Sequence, residues 1–272
     1  MKGRHAKNRY QKDIVHSVLS ALVLLVLVAR LLRGDWFSVF LCALTLVLFY
    51  IPVILGKTLN VALPDTLKVL VLLFIFAAEI LGEIGSFYTY IPWWDTMLHT
   101  LNGFLMAAIG FSLIDILNNS PRFHISLSPI FVAFVAFCFS MTVGVMWEFF
   151  EYGMDSFAGT DMQKDRIVSS FASVEINPSG KNDPVKVKDI TQTTVFYSHN
   201  GEEKQQEIKN GYLDVGINDT MKDLIVNCIG AVVFSIFGYF YIEGRDNGGF
   251  VKRFIPIFEK KVQEEEDNEN AR

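Results

Sequence analysis

Residues 127–155 read LSPIFVAFVAFCFSMTVGVMWEFFEYGMD. The stretch opens on an almost wholly apolar run of the length, about twenty residues, that crosses a bilayer as a helix. It closes on Glu148, Glu151 and Asp155, spaced by three and four, so a helix carries all three on one face. Carboxylates at the end of such a run point to function by default, because hydrocarbon penalises them.

Working outward, the rest of the chain has the same character. Hydrophobic residues make up 51% of it and aromatic residues 14%, gathered into blocks of about twenty. The blocks predict spans over residues 14–32, 36–55, 67–84, 95–117, 127–152 and 220–242. The expected fold class is therefore an all-α polytopic membrane protein of about six transmembrane helices. Gly34-Asp35 makes the first two a hairpin. Tyr88, Tyr90, Trp93 and Trp94, in the uncharged link 85–94, suit a membrane–water interface. A basic start, Met1 to Lys12, precedes the first span without a small-residue cleavage site, so that span is read as uncleaved.

Between the last two spans the sequence turns polar. Alternation over residues 193–197 and 205–208 flanks Asn200-Gly201, a type I′ hairpin signal, and residues 185–188 alternate after a Pro178-Ser179-Gly180 turn. The predicted organisation is a helical bundle of residues 1–165 and 219–243, a β-rich extracytoplasmic insert of residues 166–218, and a cytoplasmic acidic tail of residues 244–272. Within that tail, Glu264 to Asp267 reads as a solvated end.

Lys2, Arg4, Lys7, Arg9 and Lys12 before the first span put the N-terminus in the cytoplasm. An even number of crossings returns the C-terminus there, and Arg245, Lys252, Arg253, Lys260 and Lys261 agree. The expected location is thus a cell membrane, crossed several times. The net charge of −5 argues against nucleic acid as a partner. Cys42, Cys138 and Cys228 all lie in apolar runs and suggest neither a disulfide nor a Cys-rich metal site.

This topology brings the acidic ends of four spans to the outer side. Glu79 and Glu83 end the third span. Asp95 and His99 begin the fourth, followed by Gly103. Glu148, Glu151 and Asp155 end the fifth. Asp219, Asp223 and Asn227 begin the sixth, followed by Gly230. At 1.5 Å per residue, His99 lies roughly 6 Å below Asp95 and Asn227 roughly 12 Å below Asp219, which makes a polar funnel. Clustered carboxylates must take up protons, pair with cations or bind a metal. An oxygen-rich set with one imidazole suits Mg²⁺, Mn²⁺ or Ca²⁺ and leaves Zn²⁺ and Fe²⁺ open.

The expected metal ligands are Glu148, Glu151, Asp223 and His99, with Asp219 and Asn227 beside them. Asp95, His99 or Asp155 would serve as acid or base. The competing account is a structural ion-pair network in which Arg30, Arg33, Lys164 and Arg166 neutralise the acids, with Asp95 and Asp219 as helix caps. Trp93, Trp94 and Trp147 read as belt anchors. No phosphate-binding glycine loop or nucleophile elbow is present.

The combination Asp95-x-x-x-His99-x-x-x-Gly103, Trp147-Glu148-x-x-Glu151-x-x-x-Asp155, Gly159-Thr160-Asp161-Met162-Gln163-Lys164-Asp165 and Asp219-Thr220-x-Lys222-Asp223-x-x-x-Asn227-x-x-Gly230 resembles the bacterial multi-spanning membrane family that includes YjdF, whose function is unknown. A looser likeness to VanZ-like proteins rests on the Asp-x-x-x-Asn-x-x-Gly helix start. The resemblance covers about residues 93–239 and adds Gln163 and Asp165 as supporting positions. This chain departs from the pattern by inserting about fifty residues between Asp165 and Asp219.

The functional expectation is a divalent-metal enzyme acting on a membrane lipid or cell-envelope precursor. The alternatives are an ion or small-solute transporter, and a resistance-type protein that binds an envelope ligand without catalysis. Transport would need polar residues through the whole membrane, and the apolar stretches below Gly103 and Gly230 oppose it.

Overall fold

The computed structural model describes residues 2–52, 54, 61–62, 64–118, 127–244, 254 and 257–258. The link 119–126 and the acidic residues 264–267 lie outside them. In order, the elements are α1 (Lys2–Leu32), α2 (Trp36–Leu48), β1 (Val61–Ala62), α3 (Asp65–Ile75), a π-helix π1 (Phe76–Ile84), α4 (Phe87–Tyr90), α5 (Trp94–Asn118), α6 (Pro129–Gly153), π2 (Met154–Ala158), six strands β2 to β7, α7 (Ile217–Ile242) and β8 (Ile257–Phe258).

Four helical stretches are long and apolar enough to cross a membrane: Ile14–Leu32, Trp94–Asp115, Pro129–Ala158 and Ile217–Ile242. The second and third expected spans take other forms. α2 ends at Leu48, a turn follows at Phe49 and Tyr50, and Ile51, Pro52 and Ile54 are helical again. Over residues 67–84 the helix changes from α to π after Ile75. A wider π turn moves the side-chain register, a feature that recurs at functional sites.

The chain divides into two compact units, Met1–Gly144 with Leu224–Arg272, and Val145–Asp223. In the first, the α1–α2 hairpin is fixed by Asp35, which caps α2 through the Ser38 amide and hydroxyl at 3.1 and 2.7 Å. Arg30 donates to Asp35 and to the Ile84 carbonyl, each at 3.2 Å. Those bonds, with burial of Leu19, Val23, Cys42, Phe49, Leu72 and Ile80, tie α1, α2, α3 and π1 together. Arg30 is thus engaged in holding the hairpin.

A second core joins α3, α5, α6 and α7 around Leu67, Leu105, Phe111, Val132 and Phe234. Here helices approach to backbone contact. A Cβ on Gly103 would fall onto the Asn227 carbonyl oxygen, and one on Gly230 onto the Thr100 carbonyl oxygen. Small residues at membrane helix crossings allow this closeness. Phe254 is buried against Phe104 and Phe234 at 5.3 and 6.3 Å between ring centres. Just beyond it, β8 pairs antiparallel with β1.

The second unit carries the insert. β5 (Gln192–His199) and β6 (Glu202–Lys209) form an antiparallel hairpin closed by Asn200 and Gly201. Both turn residues have positive φ, 55° and 81°, as a type I′ turn requires. β3 (Phe171–Ser173) pairs with β4 (Val185–Val187), and β2 (Ile167–Val168) with β7 (Tyr212–Leu213). All pairs are two-stranded.

Gly230→Ala forces its methyl against the Thr100 carbonyl, so the α5–α7 contact must open. We expect a loss of about 1–3 kcal/mol, read as a lower Tm in detergent. Gly153→Ala, where nothing lies within 4 Å, leaves Tm unchanged or raised.

Candidate functional site

α5 begins immediately after the aromatic link, and its first two turns place Asp95 and His99 one above the other. His99 Nε2 lies 3.3 Å from Asp95 Oδ1, and the two side chains keep 11% and 20% exposure. A carboxylate in the first turn complements the helix dipole. One turn farther, Asn102 donates to Asn227 Oδ1 at 3.0 Å. The Asn227 amide points to Met141 Sδ at 3.7 Å, and Ser140 donates to the Gly103 carbonyl at 2.8 Å. Asn227, 1% exposed, therefore knots α5, α6 and α7 together with its carboxamide. Asn102 was not among the expected residues. Its signal was present, three positions after His99 on the same helical face.

Glu79 and Glu83 both belong to π1, the first half-buried and the second exposed.

In the second unit the acids fall into two groups. The first holds the chain. Asp155 accepts from the Thr160 hydroxyl at 2.7 Å and from the Met162 and Gln163 amides at 2.6 and 2.8 Å. Gln163 donates onward to the Thr220 hydroxyl at 2.6 Å, so the long insertion leaves Gln163 beside the start of α7. Asp219 accepts from the Lys164 amide and the Arg166 guanidinium, both at 3.1 Å, and pairs with Lys222 at 3.3 Å. Asp165 is exposed.

The hub of this network is Asp214, which the sequence reading did not single out. It accepts from the Arg166, Gly216 and Asn218 amides at 2.8, 3.3 and 3.1 Å, and from the Asn218 side chain. Burial pushes its carboxyl upward, but these donors outweigh that and hold it below the usual carboxylate range.

The second group is Glu148, Glu151 and Asp223. Glu148 and Glu151 are buried at 4% and 8%, and Asp223 at 1%. Trp147 Nε1 donates to Glu151 at 2.8 Å, so that tryptophan is more than a belt anchor. Lys222 Nζ sits 3.2 Å from Asp223 Oδ1. Buried carboxylates of this kind are costly to hold ionised.

Because its folded pKa is lowered, Asp214 contributes stability that is present above its unfolded value and lost as pH falls through the lower folded one. We expect amide exchange at Arg166 and Asn218 to accelerate below about pH 4. Asp214→Ala should give the same fast exchange at neutral pH, with a local loss of roughly 1.5–3 kcal/mol.

No curated protein and no solved structure matches the chain. A family model described as a predicted membrane protein, DUF2238, matches residues 14–244. That span takes in the apolar helices, the Asp95–His99 pair, the insert and the whole of α7. The resemblance read from the motifs is thus borne out, and the chain belongs to the DUF2238 family of predicted membrane proteins.

Proposed function

We propose that the protein holds a divalent cation at Asp95, His99 and Asp223 and uses it, at the outer face of the membrane, to act on a lipid or cell-envelope precursor. The reading includes six crossings with both termini cytoplasmic, the α2 region and the α3–π1 helix supplying the two beyond the four long helices. The supporting register comes from α5 and α7, each an uninterrupted helix. Gly103 lies against Asn227, and Gly230 against Thr100. One turn back from Gly103 is His99, and one turn back from Asn227 is Asp223. The observation that carries the proposal is that one ligand atom each from Asp95, His99 and Asp223 falls within 4.8 Å of the others.

Two carboxylates and an imidazole suit Zn²⁺ or Mn²⁺, and Mg²⁺ or Ca²⁺ if water or substrate oxygens complete the shell. Three protein ligands leave positions open, which is the mark of a catalytic rather than a structural site. A cation there would lower the pKa of a bound water and offset negative charge on a phosphate or ester oxygen. Glu148 and Glu151 are buried as well and would serve as base or further ligands. Asp219 and Asp155 are assigned to anchoring, since lysine, arginine and amide donors already satisfy them. Asn227 is a positioning residue.

Transport is the weaker reading. Phe104, Phe111, Phe234 and Phe254 form edge-to-face contacts below the polar end of the bundle, where a pathway would need polar groups. A binding role for the insert has one observation in its favour: the β5–β6 hairpin is exposed along both strands, with Phe196 at 77%.

Titrating purified protein with Mn²⁺ and reading the bound fraction by EPR tests the assignment. Wild type should bind saturably. His99→Ala and Asp223→Asn should each weaken binding by roughly a hundredfold, about 2.7 kcal/mol, while Asp155→Asn keeps it. Equal affinity in all four proteins, or none in wild type, removes the metal site.

A further inference from the structure

We propose that a groove between α5 and α7 seats the hydrocarbon chain of the lipid substrate, with the headgroup beside Asp95 and His99. The inference rests on the functional reading above and names the class of molecule it takes: an amphiphile with a long apolar chain, entering from the leaflet that contains the start of α5.

The groove has a volume of about 460 Å³ and runs along one face of α5, from Trp93 past Met97 and Leu101 to Phe104, with Gly230 and Val233 of α7 as its other wall. Gly230 lies against the α5 backbone at Thr100, so α7 closes that side of the groove. Thr96 and Thr100 also face it; the Thr100 hydroxyl is spent on the Thr96 carbonyl at 2.7 Å, and the other lining residues are apolar side chains and Gly230. An occupant that makes no hydrogen bonds fits such a lining.

Length selects among apolar occupants. Trp93 to Phe104 covers eleven residues, about 16 Å of helix, close to half of a hydrocarbon core about 30 Å thick. Trp93, 59% exposed, stands at the mouth, where indoles mark the headgroup level. Phe104 closes the far end, held edge-to-face against Phe234 and Phe254 at 5.1 and 5.3 Å. A helix from a partner protein would run the full membrane thickness and meet this floor. A single lipid chain ends within one leaflet, as the groove does. A chain lying there passes Asp95 and His99, which sit on the same two turns of α5 as Thr96 and Thr100, so its headgroup reaches their level.

The test uses full-length protein in detergent with a phosphatidylglycerol bearing a diazirine at the end of one chain. Photolabelled positions are mapped by mass spectrometry. We expect saturable labelling at Met97, Leu101 and Phe104, competed away by the unlabelled phospholipid. Val233→Trp and Met97→Trp, each checked for an unchanged elution volume and Tm, should abolish groove labelling. Label at Phe131 and Phe134, exposed on α6, should persist without saturation. Labelling of the groove that is no more saturable than at Phe131 and Phe134 would mean an annular lipid only and overturn the proposal, as would groove labelling unaffected by both tryptophans. Mn²⁺ binding measured on the same samples separates the two ideas. Metal binding without groove labelling sinks the groove alone; saturable labelling without metal binding keeps the groove and sinks the metal reading.

Discussion

The backbone contact between α5 and α7 is the constraint on which the rest depends. In hydrocarbon, helices gain little from burying apolar side chains against one another, so association relies on close packing and hydrogen bonds. Gly103 and Gly230 supply the closeness. Asn227 supplies the hydrogen bond and penalises any other register, because its carboxamide would be left unsatisfied in an apolar core. Gly144 on α6 lies against the same amide. With three helices registered at one level, the residues one turn nearer the helix starts are placed as a consequence. His99 precedes Gly103 by four, and Asp223 precedes Asn227 by four. The polar residue that knots the bundle therefore fixes the level at which His99 stands on α5.

The ion-pair account holds for several of the acids. Asp35, Asp155, Asp214 and Asp219 each collect donors from turns and neighbouring basic groups, and their work is to hold a hairpin or a loop. Arg30 is spent at Asp35 and Ile84. Arg166 and Lys222 are spent largely at Asp219. The proposed cation site draws on another set, the Asp95–His99 pair with Glu148, Glu151 and Asp223, and Lys222 reaches into that set at Asp223. The position of an acid along its helix distinguished these groups poorly. Asp155 and Glu151 share a helical face, yet one folds a loop around itself and the other accepts from an indole.

How much the sequence disclosed follows from the range of each interaction. Local rules worked where one dipeptide dictates a conformation: Asn200-Gly201 forces two positive φ values, and the hairpin register follows. Long apolar blocks gave α1, α5, α6 and α7 within a few residues. Helix content was also right at residues 67–84, but no periodicity announces a change from α to π, because the shift depends on what the helix packs against. α2 looked longer on hydropathy alone, which does not register the turn at Phe49. Asp214 was illegible for a different reason. Its donors come from residue 166 and from the next turn of chain, and pairing across an insert cannot be counted from spacing. The same holds for β1 with β8, which joins distant stretches.

Charge accounting gives the site a direction. Asp95 lies in the first turn of α5 and Asp223 in the second turn of α7, where the helix dipoles stabilise negative charge. Two carboxylates would neutralise a divalent cation formally, with neutral imidazole as the third donor. Lys222 is shared between two acids, its ammonium 3.2 Å from Asp223 and 3.3 Å from Asp219. Under the proposed reading, the field of a bound cation and the two helix starts would draw an anionic group toward the beginnings of α5 and α7. An anionic group with a hydrocarbon chain satisfies both that field and the apolar groove. A free inorganic anion satisfies only the field, and a neutral lipid only the groove. In that reading, discrimination for a charged amphiphile would arise from two features on the same pair of helices, and neither requires a specific hydrogen bond to the chain.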